Sequence, residues 1–153
     1  MSDARQEDSD IPVEVSMSVK DWQWLDATID NTVAMAAADG NDRAVEQGHR
    51  IRSTGWEAAR IHPRSKDGWA GWPPVDDELS VSLPVSDWHF AIQELRRWDQ
   101  IARQISSSAQ EEADELRGPA IASFLEAHIQ QRLEPRRRLA QESKASAISP
   151  KAR

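Results

Sequence analysis

From Val13 to Val19 the chain alternates, with apolar Val13, Val15, Met17 and Val19 separated by Glu14, Ser16 and Ser18. Residues 79–85 repeat the pattern: Leu79, Val81, Leu83 and Val85 are interleaved with Ser80, Ser82 and Pro84. A period of two marks a strand with one buried face. The period then lengthens to three and four. Leu25, Ile29, Val33 and Ala36 follow Trp22, and Ile92, Leu95, Trp98, Ala102 and Ile105 follow Trp88. This spacing predicts two helices, each turning one stripe toward a core.

The two segments are alike in letters as well as in pattern. At a fixed offset of 66, Val15, Ser16, Val19, Asp21 and Trp22 recur as Val81, Ser82, Val85, Asp87 and Trp88, with Trp24 answered by Phe90. Ser86 is placed to cap the later helix, and Asp21 and Asp87 sit where a carboxylate favours the positive end of a helix dipole. Gly40 can close the first helix, with Asn41 or Asp42 opening another over about 43–60. Its inner side carries Ala44, Gly48, Ile51, Gly55 and Ala59, and the glycines suit a close helix approach or a break. In the second half Pro119 suits the first turn of a helix running to about Leu133, with Ile121, Phe124, Leu125, Ala127 and Ile129 as its apolar side. Each half therefore reads strand, helix, helix.

The expected fold class is α+β: a tandem strand-helix-helix repeat whose strands form a pseudo-twofold, two-stranded antiparallel ribbon packed on a four-helix layer. A lone strand cannot stand unpaired, and pairing the two copies solves this for both. The expected organisation is one domain over 12–139, with repeats at 12–61 and 78–134 and a Pro/Gly/Trp linker at 62–77. Residues 1–11 and 140–153 are expected to be disordered tails. Residues "VEVSMSV" and "LSVSLPV", with the helices after them, resemble the topology of the ribbon-helix-helix repressors. That resemblance implies DNA binding through the outward ribbon residues, here Glu14, Ser16, Ser18, Ser80, Ser82 and Pro84.

Charge argues the other way. The net charge is -7, and the ribbon offers a glutamate and serines to a target built of phosphates. The densest cationic cluster, Arg136, Arg137 and Arg138, is expected to lie far from the ribbon. Absence of cysteine removes disulfides and thiolate chemistry and fits a reducing, cytoplasmic setting. No long apolar run or basic leader predicts a membrane span or a secretory signal.

An enzyme would have to be built from His49, His62, His89, His128 and the carboxylates. Glu46 and His49 share a helical face, but a dinuclear centre needs a second such pair, and Glu126 and His128 point apart. The sequence therefore predicts no catalytic residues, no metal site and no cofactor. It predicts a non-enzymatic protein-binding module, a small acidic regulator or inhibitor acting by contact, as a monomer or homodimer; the alternatives are a DNA-binding regulator and an uncharacterised enzyme. Seven tryptophans stand in the chain, and Trp69, Trp72 and Trp56 are the expected partner-binding residues, tryptophan being a frequent anchor in interfaces. The competing role for the two linker tryptophans is as lids folded onto the core.

Overall fold

The computed structural model describes residues 8–105 and 117–148. Strand β1 (Pro12–Ser18) leads into helices α1 (Val19–Ala38) and α2 (Asp42–Ile61), and strand β2 (Glu78–Pro84) into α3 (Val85–Ile105) and α4 (Arg117–Ile148). The fold is α+β. The strands form one two-stranded antiparallel sheet, in a register that pairs Val13 with Leu83, Val15 with Val81 and Met17 with Leu79. All six of these side chains are buried, while Glu14, Ser80 and Ser82 on the other side are exposed. The alternation thus sets both the pairing and the inward face, because a slip of one residue would turn the whole apolar set to water.

Helices pack beneath the ribbon and against one another. Val19, Trp22, Leu25, Ile29 and Val33 of α1 meet Val85, Trp88, Ile92 and Leu95 of α3 in one core, joined by Ile51 of α2 and Ile121, Leu125, Ile129 and Leu133 of α4. Burying each such side chain fully contributes about 1.5–3 kcal/mol. Trp22 and Trp88 meet edge to face, ring centroids 6.4 Å apart. The α2 glycines are contact points rather than breaks: a Cβ on Gly48 would stand 2.3 Å from Val33 Cγ2, and one on Gly55 1.9 Å from Trp22 Cζ2.

The local signals mostly act as expected. Ser18 caps α1 by accepting from the Asp21 amide, Asn41 caps α2 by accepting from Ala44, and Gly40 follows α1 at φ 71°. Ser86 does not cap: α3 begins one residue earlier, at Val85, whose amide donates to the Ile11 carbonyl instead. Through that bond and its apolar packing Ile11 belongs to the folded body rather than to a tail. Two stripes end early. Ile105 and Ala102 are exposed at the end of α3, as are Phe124 and Ala127 on α4, because the periodic stripe outruns the elements available to cover it.

The expected end of the last helix near Leu133, with a disordered tail from 140, is also corrected. Helix α4 continues through Pro135 to Ile148, and its side chains from Glu134 to Ala147 are all exposed. Proline removes one backbone donor and usually bends or breaks a helix. The flanking Arg, Leu, Ala, Gln, Glu and Lys residues are strong helix formers and carry it on. Residues 1–7 and 149–153, the remainder of the expected tails, lie outside the described residues.

Candidate partner-binding face

The three tryptophans expected to bind a partner are gathered at the end of α2 and the linker after it, but they are not equivalent. Trp56 lies on α2 and is half exposed. Its ring is positioned by Arg52, whose guanidinium carbon stands 4.7 Å from the ring centroid. Arg52 is itself tied to α1, donating from Nε to Asp26 Oδ1 at 3.1 Å and from its terminal nitrogen to Asp30 Oδ1 at 2.6 Å. The cation-π contact and the two carboxylates thus fix one side of the indole and leave the other to solvent.

The linker is a chain of tight turns anchored by His62. Nε2 of His62 bonds the Glu78 carbonyl at 3.0 Å, and its Nδ1 accepts from the Arg64 amide at 3.0 Å. Because Nδ1 accepts, Nε2 carries the proton and donates. Arg64 then donates to Asp77 at 3.1 Å, closing the linker's two ends together. At its tip the Gly68 amide donates to the Trp72 carbonyl at 2.7 Å and the Trp72 amide returns to the Trp69 carbonyl at 3.1 Å. Glycine is required at 68, since a Cβ there would meet the Pro73 carbonyl oxygen at 2.4 Å. Lys66 and Ala70 are both held at positive φ, 76° and 55°, a conformation that disfavours side chains by about 1–2 kcal/mol each.

The two linker tryptophans sit differently on this closed tip. Trp72 packs partly buried on the core and, with Trp56, Ala59, Arg60 and Lys66, lines an open cleft of about 260 Å³. Trp69 does not line that cleft and is 83% exposed. Trp72 therefore folds onto the core, while Trp69, three residues before it, does not. Beside the cleft, Arg60 pairs with Glu57; the hydrogen bond from Arg60 holds the Glu57 carboxyl below its ordinary pKa and Arg60 above its own.

Two further polar clusters sit inside the fold. Asp87 is completely buried, and Arg50 reaches it with two hydrogen bonds, Nε to Oδ2 at 3.1 Å and a terminal nitrogen to Oδ1 at 2.9 Å, while Gln47 adds one of 3.1 Å. The hydrogen bond to Asp87 raises the Arg50 pKa above its ordinary value. The dipole role assigned to Asp87 from sequence is therefore secondary to this clamp between α2 and α3. Between α1 and α3, the Thr32 hydroxyl accepts from Trp98 Nε1 at 2.8 Å and donates to the buried Glu94 at 2.8 Å. His128 bonds the Glu14 carbonyl. Among the described residues no group of three or more His, Asp and Glu is placed to hold a metal ion, and no helix is long and apolar enough to cross a membrane. Compared with known proteins, the chain matches no family model, no curated protein and no solved structure.

Proposed function

We propose that the chain is a non-enzymatic, protein-binding module, a small acidic regulator or inhibitor that acts by contact, with Trp69 as the anchor and Trp56 and Trp72 as its setting. One observation carries this reading: a tryptophan 83% exposed on a loop tip closed by two backbone hydrogen bonds. A rigid, solvated indole gives up hydrophobic stabilisation in the free protein and regains it only when covered. The test is affinity purification with the wild type and with Trp69→Ser, followed by identification of bound proteins. A specific partner retained by the wild type and lost by the variant supports the reading; identical captures exclude Trp69 as the anchor.

The scaffold is proposed to be a tandem strand-helix-helix repeat with a pseudo-twofold axis through the ribbon. Support comes from residues 66 apart that meet: Val15 pairs with Val81, Trp22 packs on Trp88, and Thr32 bonds Trp98. His62 and His128, also 66 apart, each bond a carbonyl of the strand from the other half. Arg50 pairs with Asp87, and Arg117 approaches Asp21 at 3.6 Å, the halves again exchanged. The equivalence is broken at the tryptophans: Trp88 Nε1 donates to the Val13 carbonyl at 2.8 Å, whereas the buried Trp22 Nε1 has no hydrogen-bond partner among the described residues.

DNA binding through the ribbon has weaker support. Its outward side presents Glu14, Ser16, Glu78, Ser80 and Ser82, with Ser16 and Ser80 hydrogen-bonded to each other at 2.7 Å. No cation stands among them to meet a phosphate.

A further inference from the structure

The exposed run of α4 has two unlike sides. Helical periodicity puts Glu134, Arg138 and Glu142 in one row, and Arg138 is paired with Glu134 at 2.6 Å. On the side continuous with buried Ile129 and Leu133 stand Arg136, Arg137, Ala140 and Lys144, with no carboxylate among them. Up to Leu133 this side packs on the body; beyond it the helix overhangs.

The root of the overhang is a corner with two clefts, each lined by two arginines and one glutamate, Glu14 in one and Glu126 in the other. Arg132 and Arg136 line a cleft against Ile11–Glu14 at the start of β1, so the arginine cluster lies beside the ribbon, contrary to the sequence expectation. Arg137 lines the neighbouring groove between α3 and α4, with His89 and Arg96 above a floor of Ile92, Ile129 and Leu133. Arg96 is paired with Glu126, but Arg132, Arg136 and Arg137 have no ion pair among the described residues. In a chain of net charge -7, residues 132–146 hold five cations and two carboxylates. Like charges crowded without partners repel, which disfavours the bare surface and favours an anion there.

We infer that this corner is a docking site for an acidic, amphipathic polypeptide segment, its carboxylates on Arg132, Arg136, Arg137 and Lys144 and its apolar side toward the α3–α4 groove. A nucleic-acid backbone fits less well. The apolar floor of Ile92, Ile129 and Leu133 offers nothing to phosphates, and the acidic body repels a long polyanion. The site is independent of the tryptophan face, so either can fail without the other.

The test uses the full chain and a fluorescent 18-residue helical peptide with Leu on one side and Glu on the other, followed by anisotropy. Binding at 50 mM salt that weakens at least tenfold in Arg136→Glu/Arg137→Glu, but less than twofold in Arg138→Gln on the opposite row, is the expected result. The substituted residues are exposed, and thermal melts confirm that each variant is folded. Absence of binding, equal loss in both variants, or displacement of the peptide by an equal concentration of duplex DNA would each overturn the inference.

Discussion

The indole of Trp22 fills the space that a side chain on Gly55 would need, so that α1 and α2 approach more closely than any other residue at 55 would allow. Alanine favours a helix by about 1 kcal/mol over glycine, yet its methyl would have to displace a fully buried ring. Gly55→Ala is therefore expected to destabilise by about 1–3 kcal/mol as overpacking does. In a Trp22→Leu background the same change should cost much less, a coupling that chemical denaturation of the four proteins in the cycle measures.

Removing Arg50 leaves the buried Asp87 carboxylate with Gln47 as its one side-chain partner among the described residues. Because Arg50 itself is half exposed, Arg50→Ala is expected to cost about 2–4 kcal/mol, at or below the range for a fully buried pair. Asp87→Asn should cost less, about 1–2 kcal/mol, since the freed guanidinium can turn to water. The reverse order in urea melts would contradict this account. The sign of the pH dependence follows from the raised Arg50 pKa: its stabilisation is fully present below the unfolded value and is lost only as pH rises through the folded one. Arg50 therefore contributes no loss of stability at neutral or mildly basic pH.

Trp69 and Trp72 should separate under substitution. Trp69→Ala removes an exposed ring and is expected to leave stability within about 0.5 kcal/mol. Trp72→Ala uncovers part of the core and should cost about 1–3 kcal/mol. Equal effects in thermal melts would mean that the two rings share one role.

Thr32→Val deletes the hydroxyl that joins Trp98 to Glu94 while keeping the shape of the side chain. The buried Glu94 carboxylate and the partly buried Trp98 N–H each lose a partner, and a loss of about 1–3 kcal/mol is expected. Trp98→Phe in the same background should add little, because the indole N–H has by then no acceptor to lose.

The strands, their pairing and the α1 stripe were legible because period two and period 3.6 are local signals that burial enforces at every residue. What the residues could not disclose were consequences of which helix reaches which strand. Asp87 read as a dipole carboxylate because nothing in its neighbourhood along the chain points to Arg50, 37 positions away. The last helix read as ending near Leu133 because the apolar stripe that marks it stops there, and the Arg cluster read as remote because sequence distance hid the return of α4 to β1. Trp69 and Trp72 have the same composition around them; only the backbone bonds of the tip decide that one ring turns in and the other out.

Among the described residues strand β1 has no partner other than β2, and every rung of their ladder joins residues 60 or more positions apart, from Ser18–Glu78 to Pro12–Pro84. No hairpin exists to start the sheet locally, so folding has to close a loop of that length before any strand bond can form. As the chain leaves the ribosome, Met17, Val15 and Val13 stay without a ladder partner until Leu79, Val81 and Leu83 in turn have been made. A nascent chain halted before that point has an apolar strand edge and nothing to pair it with, and its risk of aggregation is set by how quickly the second strand arrives.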